Sequence, residues 1–473
     1  MVKRSVCLFC SLGCGLAYRV SGREAEAIDY DRECQVNKGA LCPRGYYNYE
    51  LLNHPGRLTQ PSIGGIGVSW GEAFSRVRRE LQGIDPGSIG IVVSPLASLE
   101  EASGAAALAV SLGTKQICAG GDPADQDAYL GSTWQVSEDR PGELADVEAS
   151  EYILIIGDIL TRSPVLSKRI NNVKYGKKGA RIVVIDPNRS HAAWFATEHL
   201  KNKPGSEAIL LAALIGLLKR KDEAEILPLI EKIGVPIDVL KRVSEELAAA
   251  TAGTVIVSPG VNKKRNDLVV YFARVLAGLA ANKKWLVFYS GGDTIGVNAA
   301  IDAFCPGHAP YHELKKKLDQ GAIQGIFLLG EDLSDLEPLV GGAKLVVRTR
   351  YFPAKKNNAE EVIFPLASHL ETQGRYIFSG SRLVEAGAVV EPAGGKSNLV
   401  MLGELFDLEV EALVSRVNEV KPGQNRELFD LEKVIAEVGK IGPAGEILPE
   451  EITHFAGNDL AKNFFWYRAN NKG

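Results

Sequence analysis

The 473-residue sequence predicts an α/β protein, in which a small N-terminal domain precedes two doubly wound parallel-sheet domains. Short apolar runs rich in β-branched residues, such as residues 89–94 and 152–157, alternate with helical patterns along most of the chain. Strands of this kind are typical of parallel sheets that are buried on both faces. They are too numerous for one sheet, and a group of cysteines precedes all of them.

The predicted domain boundaries follow these changes in pattern. Residues 1–57 form the cysteine-bearing domain, which is too small for a good core and would take much of its folding energy from bound metal. Residues 58–122 and 290–425 are predicted to form one discontinuous α/β domain. Residues 123–289 form a second α/β domain inserted into the first. Residues 426–473 are interpreted as a charged, loosely patterned C-terminal tail.

The helices and strands are predicted from periodicity and from their end signals. A helix over residues 70–82 carries its apolar residues on one face, and Gly-Pro-rich turn residues follow it. An Ala-rich helix over residues 100–112 ends at Gly113, the residue expected after a helix. A long apolar helix covers residues 206–221. Further strands are predicted at residues 181–187, 254–258, 285–289, 325–330, 344–348 and 361–365.

The cysteines carry the clearest chemical signal. Cys7, Cys10, Cys14 and Cys42 have the spacing C-x2-C-x3-C-x27-C, and a proline follows the last of them. Four thiolates can close around a tetrahedral metal ion or a [4Fe-4S] cube. Three close cysteines with a remote fourth favour the cube, because zinc ribbons more often show two CxxC pairs; zinc and unligated thiols are the alternatives. Cys34 is interpreted as a spare thiol.

Polar residues follow several predicted strands, where ligands of doubly wound sheets bind. Asp158 and Asp186 each follow a strand, as does the Gly330-Glu331 pair. An aspartate there can accept a hydrogen bond from a ribose or a guanine, but Asp-Pro is equally a turn starter. The Gly-rich stretch over residues 290–296 is a weak candidate for binding a phosphate.

Composition excludes few functions. The net charge of −4 gives no general argument for nucleic acid or an anionic membrane as partner.

Seven cysteines, an odd number in a long chain, favour a reducing compartment over a disulfide framework. The N-terminus leaves no room for a signal sequence before Cys7, and no apolar run reaches eighteen residues. A cytoplasmic protein without a membrane span is therefore expected.

Taken in order, these motifs resemble the molybdopterin oxidoreductase family, which includes the catalytic subunits of formate dehydrogenase and nitrate reductase and the large iron–sulfur subunit of respiratory complex I. The resemblance runs from residue 1 to about residue 415. The matching segments are the four cysteines and residues 37–45, 54–61, 156–157, 184–189, 203–207, 329–331 and 364–382.

The resemblance implies an N-terminal [4Fe-4S] domain and two α/β domains that hold a bis-pterin guanine dinucleotide. Asp186 would match the acid that hydrogen-bonds to a guanine of the cofactor. Glu207 stands at a position where the family usually has an aspartate. Arg44 stands where many members have a lysine between cluster and pterin. A cation there would favour the reduced cluster, although a surface salt bridge is the alternative for Arg44.

The sequence departs from the family at the metal ligand. Catalytic members place there a cysteine or selenocysteine that binds molybdenum or tungsten, whereas this chain offers Ala124 and Asp125. Asp125 could itself bind a hard metal. Cys118 comes about six residues too early and is interpreted as a core or loop cysteine. The C-terminal β-barrel domain of the family is expected to be absent.

These departures predict an iron–sulfur electron-transfer subunit of a larger redox complex, with one [4Fe-4S] cluster and without molybdopterin guanine dinucleotide or active metal. Its partners would be other iron–sulfur or flavin subunits, with no nucleic acid. Two alternatives are open: a molybdenum or tungsten enzyme of formate or formylmethanofuran dehydrogenase type whose barrel is a separate subunit, and a non-redox scaffold with a structural cluster.

Overall fold

The computed structural model describes residues 1–22, 24–260, 265–331, 333–353, 361–422, 430–438 and 440. Most of the predicted tail, residues 426–473, lies outside the described residues. The strands are β1 Val2–Val6, β2 Gly15–Ser21, β3 Glu24–Asp29, β4 Ser62–Ile63, β5 Ile66–Gly67, β6 Ile89–Val93, β7 Ile117–Ala119, β8 Tyr152–Ile156, β9 Arg181–Ile185, β10 Glu198–Leu200, β11 Gly253–Val257, β12 Lys283–Val287, β13 Gly325–Leu329, β14 Leu345–Arg350, β15 Glu361–Pro365, β16 Gly374–Phe378 and β17 Arg382–Ala386.

The α-helices alternate with these strands after the N-terminal domain. They are α1 Pro43–Tyr47, α2 Trp70–Leu81, α3 Leu99–Ser111, α4 Pro123–Thr133, α5 Leu144–Ala149, α6 Ile159–Arg162, α7 Ser167–Gly176, α8 His191–Phe195, α9 Glu207–Leu218, α10 Glu223–Ile233, α11 Ile237–Ala249, α12 Asn266–Leu279, α13 Thr294–Phe304, α14 Tyr311–Asp319, α15 Asn398–Phe406, α16 Val410–Arg416 and α17 Leu431–Val438.

The N-terminal domain is built on a three-stranded antiparallel sheet in the order β1-β2-β3. Val6 pairs with Gly15, so the connection between β1 and β2 carries Cys7, Cys10 and Cys14. This sheet was not predicted from the sequence, because its strands are short and mix charged with apolar residues.

A five-stranded parallel sheet has the order β10-β9-β8-β11-β12. Strand β8 is buried along its whole length. Its alternate residues enter two separate cores: Leu154 and Ile156 pack in one, and Ile153 and Ile155 pack in the other. A strand that is covered on both faces in this way is the signature of a doubly wound sheet, which confirms the predicted fold class.

The second sheet has seven strands in the order β5-β4-β15-β14-β13-β6-β7. The strands from β15 to β7 are parallel, whereas β4 and β5 add an antiparallel edge. Its strands come from residues 62–119 and 325–365, on either side of the five-stranded sheet in the chain. The predicted elements of both sheets are present within a few residues of their expected positions, and the domain boundaries themselves stay a prediction.

Helix α9 is the long apolar helix that the sequence predicts, and it is a core helix: Ile209, Leu210, Leu211 and Leu214 are fully buried. Within the described residues, no helix combines the length and the apolar character needed to cross a membrane.

Candidate metal centre

The four predicted cysteine ligands line one pocket. Cys7, Cys10 and Cys14 are buried, with 5–6% of each residue exposed, and Cys42 is half-buried. Three of them come from the β1–β2 connection, and the fourth immediately precedes α1. Among the described residues, no group of three or more His, Cys, Asp or Glu side chains is placed to hold a single metal ion. A cube needs its thiolates around a space, because each thiolate binds a different iron.

The β1–β2 connection forms a tight loop whose two ends are hydrogen-bonded to each other. The Cys7 amide donates a hydrogen bond to the Cys14 carbonyl at 2.8 Å. Gly13 has a φ of 64°, and a Cβ atom at this residue would lie 2.5 Å from the ring of Phe378. Both its backbone conformation and its surroundings therefore require glycine at this position.

The four thiols influence one another electrostatically. Burial raises the pKa of Cys7, and the neighbouring Cys42 and Cys10 raise it further. Burial also raises the pKa of Cys10, whereas Arg44 lowers it. Four thiolates in this dry pocket need compensating positive charge, which iron ions and a nearby cation would supply.

Arg44 provides a cation at this pocket. Its side chain lines the pocket with the cysteines, and only 1% of the residue is exposed. The Nη2 atom donates to the Arg162 carbonyl at 2.5 Å, while Nε and Nη1 are buried without an acceptor among the described residues. Unpaired cationic donors beside four thiols fit an anionic iron–sulfur cluster. The alternative of a surface salt bridge is wrong, because Arg44 is buried.

Ser11 fixes the cysteine loop to the rest of the protein. Its amide donates to the Tyr289 carbonyl at 3.1 Å, and its hydroxyl accepts from the Tyr289 amide at 2.7 Å. Its carbonyl accepts from the Ser379 amide at 2.9 Å. Tyr289 follows β12 and Ser379 follows β16, so the loop is held by the inserted five-stranded region and by the β16–β17 hairpin.

A chain of polar contacts leads from Arg44 to Asp125. Arg162, whose carbonyl accepts from Arg44, forms an ion pair with Asp122 at 2.9 Å. Asp122 caps α4 by accepting from the Ala124 amide at 2.9 Å. Asp125 lies in the first turn of α4 and is 1% exposed.

One oxygen of Asp125 binds the loop that follows β12. Its Oδ2 accepts from the Ser290 amide at 2.8 Å, the Ser290 hydroxyl at 2.7 Å and the Gly291 amide at 3.0 Å. Burial, followed by the charge of Asp122, raises the pKa of Asp125 to about 7, although Arg162 and the hydrogen bonds from Ser290 and Gly291 oppose the shift. In the same loop, a Cβ atom at Gly292 would lie 2.2 Å from the Leu8 carbonyl oxygen. This Gly-rich loop therefore packs between α4 and the cysteine loop.

Asp186 and Glu207 lie outside the cysteine pocket. Asp186 is 4% exposed and stabilises its own turn, since its two oxygens accept from the Asn188 amide at 2.8 Å and the Ser190 hydroxyl at 3.0 Å. Glu207 is fully buried at the first residue of α9, where the helix dipole favours a carboxylate. These contacts give Asp186 a structural role.

Cys118 and Cys34 have the environments that the sequence suggested. Cys118 is buried in β7 and packs in the same core as Val92 and Tyr311. Cys34 is half-buried, and a Cβ atom at Gly15 would lie 2.7 Å from its sulfur. Neither residue lines the pocket of the four candidate ligands.

Comparison with known families matches two parts of the chain. The family described as Molybdopterin oxidoreductase matches residues 57–407, and its Fe4S4 domain matches residues 1–54. The chain belongs to the molybdopterin oxidoreductase family. The four cysteines therefore lie in the segment that matches the family's Fe4S4 domain.

Curated members of the molybdopterin oxidoreductase family share limited identity with this chain. A nitrate reductase of Symbiobacterium thermophilum is 30% identical over 44% of the chain and 29% of its own length. The F420-dependent formate dehydrogenase subunit alpha of Methanocaldococcus jannaschii is 28% identical over 47% of the chain and 33% of its length. The NADPH-Fe(3+) oxidoreductase subunit alpha of Geobacter sulfurreducens is 22% identical over 85% of the chain and 55% of its own length. The chain thus spans about a third to a half of these relatives.

A solved structure shares the fold of this family member. The acetylene hydratase of Pelobacter acetylenicus superposes with a TM-score of 0.64 at 15% sequence identity, over 89% of this chain and 71% of that one. Since the identity is low, this likeness concerns the fold alone.

Several contacts of the site escaped the sequence analysis. Ser11 and Arg162 carry no motif, and Ser290 belongs to the Gly-rich stretch that was considered only for binding a phosphate; the partners of all three lie far away in the chain. Asp122 alone left a signal, since an aspartate followed by proline is typical of a helix start.

Proposed function

We propose that this member of the molybdopterin oxidoreductase family is the iron–sulfur electron-transfer subunit of a multi-subunit redox complex. The observation that carries the proposal is the pocket lined by Cys7, Cys10, Cys14 and Cys42 together with the buried Arg44. A [4Fe-4S] cluster held there would accept and return one electron.

The surrounding residues suit that role. Phe9, Leu12 and Val165 line the pocket with apolar side chains and would limit contact of the cluster with water. The buried charge of Arg44 would stabilise the more negative, reduced state. Cys42 is the most exposed of the four candidate ligands, so it is the one that solvent reaches most readily.

The proposal includes neither active molybdenum nor tungsten. The position that the family resemblance gives to the metal ligand carries Asp125, and three hydrogen bonds from Ser290 and Gly291 occupy one of its oxygens. The turn contacts of Asp186 likewise do not favour a guanine there. Relatives named as alpha subunits support an assembly with further redox subunits, such as iron–sulfur or flavin proteins.

A second candidate is a molybdenum or tungsten enzyme. One observation favours it: the Oδ1 atom of Asp125 is buried without a hydrogen-bond partner among the described residues. A carboxylate oxygen can bind a hard metal ion. A third candidate, a scaffold with a structural cluster, has the same cysteine pocket.

Elemental analysis of anaerobically purified protein for Fe, Zn, Mo and W separates these functions. About four Fe per chain with no Mo or W, and a cluster that is reduced by dithionite and reoxidised reversibly, is the expected result. Stoichiometric Mo or W would support the second candidate. A cluster that cannot be cycled would support the scaffold, and Zn without Fe would contradict all three.

A further inference from the structure

Two strongly exposed aromatic residues lie on neighbouring helices of the five-stranded region. Tyr175, near the end of α7, is 76% exposed, and Trp194, in α8, is 72% exposed. The Tyr175 ring meets the ring of Phe195 edge to face, with centres 6.1 Å apart. Trp194 directly precedes Phe195 in α8, so both exposed aromatic residues belong to the segments that meet at this ring contact. Exposed aromatic residues are typical of interaction surfaces.

Lys174 holds these rings in place. Its Nζ atom lies 4.2 Å from the centre of the Phe195 ring and 5.4 Å from that of Tyr175, and it donates to the Phe195 carbonyl at 2.5 Å. The aromatic surface is thus fixed before any partner binds, which lowers the entropic cost of association. We call Lys174, Tyr175, Lys178, Trp194 and Phe195 the α7–α8 patch.

The chain around the patch is strongly basic. Residues 167–197 contain seven Lys or Arg residues and a single acid, Asp186, although the whole chain has a net charge of −4. Asp186 is buried. Acids from other elements reach part of this segment: Glu148 pairs with Arg169, and Glu198 pairs with Arg181.

Two cations that are close in sequence to Tyr175 and Trp194 keep their charge available. Lys178 and Arg189 are exposed, and neither forms an ion pair within the part of the chain that the structure describes. Lys177 is different, because it donates to the Ala149 and Ser150 carbonyls and lies near Glu151. An acidic surface would complement Lys178 and Arg189.

The patch is connected to the cysteine pocket by α7 itself. Helix α7 begins directly after the 3-10 turn Pro164–Leu166, and Pro164 and Val165 line the pocket. Ten helical residues span about 15 Å. A protein bound at the patch would therefore lie about one short helix away from the pocket wall.

We propose that the α7–α8 patch is the docking surface for an acidic redox protein that exchanges electrons with this chain. This inference rests on the proposed electron-transfer function. Trp194 and Tyr175 supply the apolar contact, since Trp and Tyr are enriched among the residues that dominate binding energy. Lys178 and Arg189 steer the acidic partner toward the patch.

The same surface fits other macromolecules less well. A helix that lies in a membrane interface needs a long apolar face. Helix α8 has five residues, and α7 exposes Asn172 and Gly176 beside Tyr175. Nucleic acid would use the lysines, but residues 167–197 are the basic part of a chain that is acidic overall.

The test uses the cluster-loaded full chain and a purified acidic ferredoxin as probe. Binding is measured by calorimetry, and electron transfer is measured by stopped-flow absorption at low and high salt. We expect Trp194→Ala to weaken binding about tenfold. We expect Lys178→Glu/Arg189→Glu to slow association about tenfold at low salt and to remove most of its salt dependence. Oxidative footprinting should show protection of Tyr175 and Trp194 by the probe.

Matched controls are Ile66→Ala, an equally exposed apolar residue, and Lys316→Glu/Lys344→Glu, which reverses two exposed charges that form no ion pair among the described residues. These control variants should bind the ferredoxin as tightly and as fast as the wild type does. Unchanged binding in the patch variants, no binding of the probe, or equally tight binding of a basic cytochrome c would overturn the proposal. So would preferential binding of duplex DNA or of phosphatidylserine vesicles.

Failure of the docking inference can be told apart from failure of the proposed function. A small neutral mediator reduces and reoxidises the cluster without protein docking. If it does so reversibly while the patch variants behave like wild type, only the docking inference is wrong. If it does not, the proposed function is wrong.

Discussion

The hydroxyl oxygens of Ser11 and Ser379 lie 2.7 Å apart, although 368 residues separate the two serines in the chain. Ser11 stands between Cys10 and Cys14 in the cysteine loop. Ser379 also donates to the Val287 carbonyl at 2.6 Å, at the end of β12. A pair of buried hydroxyls thus joins the candidate ligand loop, the five-stranded sheet and the β16–β17 hairpin.

Replacing a single cysteine tests the ligand set. Cys42→Ser should remove the visible absorption of the cluster, lower the iron content and loosen residues 1–57, because a bound cluster would supply part of the folding energy of this small domain. Iron analysis and limited proteolysis measure these effects. Cys34→Ser and Cys118→Ser are the controls and should keep their iron. Loss of iron in Cys34→Ser would mean that the ligand assignment is wrong.

Arg44 should raise the reduction potential of the cluster. Arg44→Met removes a buried positive charge and should lower the potential by roughly 60 mV, the one-electron equivalent of a tenfold change in equilibrium constant. A redox titration followed by electron paramagnetic resonance measures the shift. Arg44→Lys keeps the charge and should recover most of the wild-type potential; equal potentials for wild type and Arg44→Met would contradict this role.

Asp125 should make stability depend on pH. Its pKa is raised from 3.8 to about 7 in the folded protein, so between these values the folded state binds more protons than the unfolded state. The free energy of unfolding should therefore fall as the pH rises from about 4 to about 7, and then level off. Urea unfolding across this range should show that the free energy of unfolding depends less on pH in Asp125→Asn than in the wild type.

Asp125→Ala provides the complementary test. It leaves the buried donors of Ser290 and Gly291 without their acceptor and should destabilise the protein by roughly 1–3 kcal/mol. A variant as stable as the wild type at neutral pH would show that the loop does not depend on this carboxylate.

The Arg57–Glu371 ion pair should be essential for stability. The Arg57 Nη2 atom lies 2.8 Å from the Glu371 Oε2 atom, and the two side chains are 4% and 2% exposed. Glu371→Gln leaves a buried guanidinium without its counter-charge and should cost about 3–5 kcal/mol of unfolding free energy. The exposed Arg416–Glu419 pair is the control, since Glu419→Gln should change stability by less than about 1 kcal/mol.

The sequence predicts the two parallel sheets well because their strands are continuous apolar runs such as β8 and β13, whose pattern requires burial on both faces. The cysteine spacing likewise identifies the candidate ligands, which the structure brings to one pocket. Burial of Arg44 could not be predicted, because it depends on a carbonyl 118 residues away. The loop held by Asp125 was missed for the same reason, since its donors are 165 and 166 residues distant.

The contact between Ser11 and Ser379 also has a consequence for biosynthesis. Chains are made from the N-terminus at about 5–20 residues per second, so the cysteine loop leaves the ribosome roughly 20–70 s before the hairpin that anchors it. The contacts with Tyr289 can form during that interval, but the contact with Ser379 is still missing until its end. Cluster insertion must therefore either wait for the end of translation or proceed on a loop that still lacks its anchor.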